Sequence, residues 1–237
     1  MTDHNCLSGR WPFKKTRSHT VADLAEIHGK YGIATGMVAS LEAIFYRHPF
    51  EGDLDLSREL KGTPYMQVLC INPAEPFPRK DMQRARDNFP FHGIRVYPSL
   101  HGFPLDGTMF AEFMDLAGEY TGNLYISCRM NDVRLDHLVS QRVPGVEELG
   151  KMLGKGFGGN TYLLNLKLEE VLALKDWIMG NENVFFDICE IKQMISPMEK
   201  LYNEGVGERA VFGSFHPLNN FLCAYMNFKE LSGCGTK

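Results

Sequence analysis

The residues best suited to chemistry in this 237-residue chain are polar side chains that stand at the ends of apolar, β-branched runs. Arg95 and Tyr97 lie two apart in one such run, so an extended backbone puts both on one face. His101 follows just beyond Pro98-Ser99-Leu100. Glu42, Arg47 and His48 follow another run, Asp187 and Glu190 close a third, and His216 stands between Phe215 and Pro217. Asn5 lies in a short run near the start, and Arg129 opens the densest polar stretch, Arg129-Met130-Asn131-Asp132-Val133-Arg134-Leu135-Asp136-His137. An arginine fork matches a carboxylate or phosphate. A histidine, with an unperturbed pKa near ~6.5, moves protons at neutral pH. On this reading Arg129 and Arg95 anchor a substrate carboxylate, with Tyr97, Glu42 and Asn5 also on the substrate. His101 and His216 move protons, and Asp187 or Glu42 orients them. The bland alternatives are a solvated loop after Arg129, and an Arg95 paired structurally with Asp187 or Glu42, since a buried arginine needs a partner.

These positions are set by a regular rhythm. The apolar runs are Gly32–Ser40, Tyr65–Ile71, Gly93–Ser99, Leu124–Met130, Thr161–Leu166, Val184–Cys189 and Ala210–His216, with a short one near Asp3–Cys6. Helical patterns separate them. Thr20 precedes a helix with Leu24, Ile27 and Tyr31 on one face. Asp106 and Thr108 precede a stripe of Phe110, Phe113, Met114 and Ala117. Leu168–Met179, Met194–Asn203 and Phe221–Leu231 read as further helices. Strands that are apolar throughout imply a parallel sheet covered on both faces. About eight such units in residues 1–237 predict an α/β protein, a single (β/α)8 TIM barrel domain, whose chemistry belongs at the C-terminal strand ends. A doubly wound nucleotide-binding sheet lacks its signature here: no GxGxxG follows the first strand, and no GxxxxGK[ST] occurs.

Composition agrees with a globular enzyme or binding protein. The chain is 44% hydrophobic and 23% charged, with a net charge of −4 and no basic stripe to face a phosphate backbone, which argues against nucleic acid. No apolar run approaches the roughly 18 residues of a membrane helix. Met1–Asn5 carries no signal-peptide core, so a cytoplasmic location is expected. Six cysteines without a CxxC pair read as buried thiols, with Cys128 and Cys189 near strand ends. His4, His19, His28 and His92 read as surface or element-start positions.

Several segments, in order over almost the whole chain, carry a resemblance. They are Gly9-Arg10-Trp11-Pro12-Phe13, Ser40–Arg47, Ile71-Asn72-Pro73, Gly93–Pro98, His101-Gly102-Phe103, Val184–Ile188 and Val211–Pro217. Together the segments resemble the amidohydrolase-related family of metal-dependent barrel hydrolases and decarboxylases. The resemblance implies a His-x-His on the first strand, histidines after the fifth and sixth, and an aspartate after the eighth, which together hold a metal that activates water. The corresponding positions here are Asn5 and Leu7, Ile126–Arg129, Leu164-Asn165-Leu166 and Phe215. The expectation is therefore a divergent member with the metal site lost and no cofactor. It would be a hydrolase or lyase acting on a small carboxylate, amide or lactone, and a homo-oligomer. The alternatives are a catalytically inactive barrel, serving as a small-molecule binding protein or assembly partner of an active paralogue, and a relocated divalent metal held by His48, His101, His137 and His216 with Glu42 or Asp187.

Overall fold

Short strands that are apolar on both sides need cover on both sides, and the chain answers by closing its sheet on itself. The computed structural model describes residues 1–130, 141–192 and 196–234. Along the chain run β1 (Thr2–Ser8), α1 (Val21–Tyr31), β2 (Thr35–Ser40), α2 (Leu41–Phe45), α3 (Pro49–Leu60), β3 (Met66–Cys70), α4 (Pro78–Asn88), β4 (Gly93–Val96), α5 (Pro98–His101), α6 (Thr108–Gly118) and β5 (Asn123–Ser127). They are followed by α7 (Val146–Lys155), β6 (Asn160–Leu164), α8 (Leu168–Ala173), α9 (Lys175–Met179), β7 (Val184–Asp187), α10 (Pro197–Asn203), β8 (Ala210–Val211) and α11 (Phe221–Gly233). The strands form one parallel eight-stranded sheet in sequence order. Beyond Val211 the chain keeps bonding to β1: His4 N–H donates to Phe212 O at 2.8 Å, Phe215 N–H to Asn5 O at 2.7 Å and Leu7 N–H to His216 O at 2.9 Å. The expected (β/α)8 barrel is thus formed, nearly closed, with an irregular seam between β8 and β1.

Alternation along each strand separates two cores. Leu69, Ile94, Val96, Leu124, Ile126, Leu163 and Phe186 face out and pack under the helices, against the Phe110, Phe113, Met114 and Ala117 stripe of α6. Their neighbours Val68, Cys70, Tyr97, Tyr125, Tyr162 and Leu164 face in and fill the lumen with Leu7, Met37 and Ala39. The helices carry the expected signals with some shifts. Thr20 and Asp23 form a capping box at α1, and Gly32 ends that helix in the left-handed region at φ 68°. Gly107, not Asp106, is the cap residue of α6. The run read as one helix over Leu168–Met179 breaks at Leu174 into α8 and α9. The four cysteines in strand runs are buried and free. His28 departs from its surface reading: it is 1% exposed, on the inner face of α1.

Helix α3 lies on α2 through Gly52, where an added Cβ would come within 2.7 Å of the Ala43 backbone nitrogen. At Gly29, exposed in α1, an added Cβ meets nothing within 4 Å. Two Gly→Ala changes should therefore move stability in opposite directions. In urea denaturation Gly52→Ala is expected to cost about 1–3 kcal/mol by overpacking, while Gly29→Ala is expected to add about 0.5–1 kcal/mol by helix propensity.

Candidate active site in the barrel lumen

Three predicted site residues meet on the barrel axis. Asn5 of β1 lies between Arg95 of β4 and Asp187 of β7. Arg95 Nη2 donates to Asn5 Oδ1 at 2.8 Å, and Asn5 Nδ2 donates to Asp187 Oδ2 at 2.5 Å. Arg95 Nε donates to Ser127 Oγ at 2.7 Å, fixing the guanidinium against β5. The other Asp187 oxygen accepts the Asn165 backbone N–H at 2.8 Å, and the Cys189 thiol donates to Oδ2 at 3.2 Å. Asn165 Nδ2 in turn donates to Cys189 Sγ at 3.2 Å. This geometry depends on an unusual backbone: Asn165 is left-handed, φ 65°, a conformation asparagine tolerates better than most residues. Gly213 passes beside the same group, where a Cβ would come within 2.7 Å of Asp187 Oδ2.

The cluster is dry. Asn5, Ser127, Asn165 and Asp187 are 0% exposed and Arg95 1%. Burial pushes the Asp187 carboxyl up to about 6, against the opposing hydrogen bonds from Asn165, Asn5 and Cys189 and the field of Arg95. Burial and the neighbouring Asp187 raise the Cys189 thiol. Tyr97 lies beside the guanidinium, whose carbon is 5.3 Å from the ring centroid. The hydroxyls of Tyr97 and Tyr125 are buried without a hydrogen-bond partner among the described residues.

The other predicted residues stand elsewhere. Arg129 makes a two-point pair with Glu170, at 2.7 and 2.6 Å, and also donates to Asn165 O at 2.7 Å. Glu170 additionally accepts Lys167 N–H at the start of α8. Arg129 thus braces the Asn165 turn rather than facing the lumen as a free fork. Glu42 accepts the Arg10 N–H at 2.8 Å and lines a separate cavity of about 320 Å³ with Ser8, Gly9, His19 and Glu59. His101 donates Nε2–H to Ile44 O at 3.1 Å, which leaves Nδ1 buried and unpartnered among the described residues. Burial lowers its pKa, against the opposing hydrogen bond to Ile44. His216 pairs with Ser18 Oγ at 3.2 Å in the β1–α1 connection. Phe215, left-handed at φ 53°, packs in the lumen with Leu7 and Trp11. Asp132, Arg134, Asp136 and His137 of the polar stretch lie outside the described residues. Ser127, Asn165, Cys189 and Glu170 complete the arrangement; in the sequence Asn165 and Cys189 stand out only as strand-end residues, and Ser127 and Glu170 not at all. The signal available was position alone, at or after the ends of β5, β6 and β7.

The relocated ligand set does not gather: among the described residues His48, His101, His216, Glu42 and Asp187 form no common cluster, and the only group of three potential ligands is Asp3, Cys6 and His28.

A barrel of this build, with its polar group at the C-terminal strand ends, has the fold of the amidohydrolase-type TIM barrels. Among solved structures, 2,6-dihydroxybenzoate decarboxylase from Rhizobium is similar with a TM-score of 0.67 and 13% identity, over 97% of this chain and 92% of that one. An amidohydrolase II structure matches at TM-score 0.65 and 12% identity, over 95% and 90%. A dihydroxybenzoic acid decarboxylase from Polaromonas sp. JS666, with bound manganese and 2-nitroresorcinol, matches at TM-score 0.62 and 13% identity, over 88% and 79%. No family model matches the sequence, and no curated protein matches it.

The expectation of no cofactor is corrected by two findings: a neighbour in fold holds manganese, and this chain gathers three ligand-type side chains of its own. The lumen set does not suit manganese, which favours several hard oxygen ligands. Its one carboxylate, Asp187, is already shared by Asn5, Asn165 and Cys189, and a guanidinium stands one residue away.

The raised Asp187 carboxyl is directly observable. Difference infrared spectroscopy should show a buried protonated carboxyl at pH 5 that vanishes with a midpoint near 6, and that Asp187→Asn removes. Because folding raises this pKa, the group's contribution to stability is complete below about pH 4 and fades as the pH rises through about 6. A carboxyl band that titrates near 4 instead would contradict the assignment.

Proposed function

We propose that the chain is a lyase or hydrolase acting on a small carboxylate, bound at the C-terminal ends of the strands by Arg95. The observation that carries this reading is the Arg95–Asn5–Asp187 array: a guanidinium and a carboxyl joined through one amide and fully buried in the lumen. A desolvated guanidinium binds a carboxylate far more strongly than an exposed one. A carboxyl that titrates near 6 both gives and takes protons at neutral pH. In a decarboxylating lyase the carboxylate leaves as CO2 and Asp187 supplies the proton that replaces it on carbon. In a hydrolase Asp187 takes the proton of the attacking water. The fold neighbours that act on dihydroxybenzoates support the carboxylate half of the proposal. Tyr97, beside Arg95 and with a buried hydroxyl that has no partner among the described residues, is suited to hydrogen-bond a ring substituent. His101, whose Nδ1 has no partner among the described residues, is the second candidate for proton movement.

A specific observation favours a second reading, a barrel that binds a small molecule without turning it over. Leu7 and Phe215 are 1% and 4% exposed and pack with Trp11 and Tyr97 as an apolar filling of the lumen.

The two readings separate in a thermal-shift and turnover series with benzoate, dihydroxybenzoates, short aliphatic acids and their neutral amides. A bound acid at 100 times its Kd adds about 2.7 kcal/mol of apparent stability. The expected result is stabilisation by an acid but not by its amide, lost in Arg95→Met, with turnover of that acid reduced about 100-fold or more in Asp187→Asn. Binding without turnover supports the second reading. An acid that stabilises Arg95→Met as well as the wild type overturns the anchoring role of Arg95.

A further inference from the structure

We infer that Asp3, Cys6 and His28 form a site for one divalent transition metal, zinc by donor chemistry, between the barrel wall and α1. The site lies outside the lumen, on the helix side of β1. Asp3 Oδ2, Cys6 Sγ and a His28 ring nitrogen all lie within 4.8 Å of one another, and Asp3 Oδ2 is 3.2 Å from His28 Nε2. Zinc bonds of ~2.0–2.2 Å to oxygen and nitrogen at a tetrahedral angle separate the two donors by roughly 3.3 Å.

Three features of the backbone converge on this point. Residues three apart on a regular strand face opposite sides. In β1 the pairing register shifts between Asp3 and Cys6, and both side chains reach the helix side of the sheet. A bulge that re-aims a side chain is a recurrent device at sites. On the adjacent strand stands Gly36, where a Cβ would come within 2.7 Å of Cys6 Sγ and 3.3 Å of His28 Cε1. The glycine therefore keeps the space between the donors clear. The Asp3 carboxylate is aimed in advance, because its Oδ1 accepts the N–H groups of Asn5 at 3.0 Å and Ser214 at 2.9 Å, leaving Oδ2 for the cluster.

The chemistry of the donors selects the ion. A thiolate and an imidazole favour zinc over manganese, calcium or magnesium. One carboxylate and one thiolate cancel the two charges of the ion, so the loaded centre is neutral, as a site with residues 0–1% exposed requires. The far ring nitrogen, His28 Nδ1, is 3.1 Å from Tyr65 Oη. A histidine that ligates through Nε2 donates Nδ1–H to such an oxygen. Loading then balances as follows: His28 binds through an unprotonated Nε2 and keeps a proton on Nδ1, and the Cys6 thiol gives its proton to solvent as the thiolate–metal bond forms. Without the ion the same residues form the hydrogen-bonded series Asp3–His28–Tyr65.

The test is cobalt titration of the full chain after chelation and dialysis, with folding of each variant checked by circular dichroism. Expected are one cobalt per chain, a thiolate-to-cobalt charge-transfer band, proton release on binding, and competition by zinc. Cys6→Ser should abolish the band while Cys189→Ala and Cys128→Ala keep it. Tyr65→Phe, which retains all three ligands, should weaken zinc by about 10-fold. A wild-type protein that takes up no stoichiometric cobalt, or a charge-transfer band that persists in Cys6→Ser, overturns the site. The wild-type measurement decides even where a ligand variant fails to fold.

Discussion

A guanidinium at the centre of a barrel is the constraint around which the rest of this molecule is arranged. Arg95 cannot be moved to water from the middle of β4, and an unpaired charge there would cost several kcal/mol. Its partner is not a direct ion pair. Asn5 accepts from the guanidinium with its oxygen and donates to Asp187 with its nitrogen, so one side chain satisfies a cation and an anion at once. The amide has only one orientation that does both. A histidine at the same place would offer one acceptor at most, and would become a second cation if protonated. The asparagine on β1 and the arginine on β4 are therefore parts of one solution, and the carboxyl of Asp187 is raised by burial against the opposing hydrogen bonds from Asn165, Asn5 and Cys189 and the field of Arg95.

The strand β1 does most of the joining. Facing inward, Asn5 organises the lumen and Leu7 fills it. Facing outward, Asp3 and Cys6 meet His28 of α1. Asp3 also accepts the N–H of Ser214 and so holds the end of β8 where strand pairing is least regular. The seam of the barrel, the lumen array and the proposed metal centre thus share seven consecutive residues. A change at one of them is transmitted to the others through backbone geometry, because a one-residue slip would exchange the two faces.

What could be read from sequence follows from range. The strands, the stripe on α6 and the capping box of α1 are patterns of near neighbours, and they are found where the periodicity puts them. Asn5, Arg95 and Asp187 were legible because strand ends converge in a barrel. Arg129 and His216 illustrate what was not. Arg129 looked like an available fork because its partner, Glu170, is 41 residues away on another unit. His216 read as a proton-moving residue, but a left-handed Phe215 precedes it and its ring pairs with Ser18. Nothing local in either segment announces these partners. His28 was hidden by the same limit: a helical histidine reads as surface until an aspartate from a strand is placed against it.

The apolar filling of the lumen does not by itself argue against catalysis. A barrel that had only lost its function would be free to replace Arg95, Asp187 and Asn5 with hydrophobes, and such replacements are often neutral or stabilising. Instead Arg95 and Asp187 stand fully buried and joined through Asn5, together with two tyrosine hydroxyls that have no partner among the described residues. Unsatisfied buried hydroxyls are costly and usually have an explanation in an unseen water or ligand. On the proposed reading, the buried Leu7 and Phe215 would lower the local dielectric and so strengthen a bond from Arg95 to a substrate carboxylate.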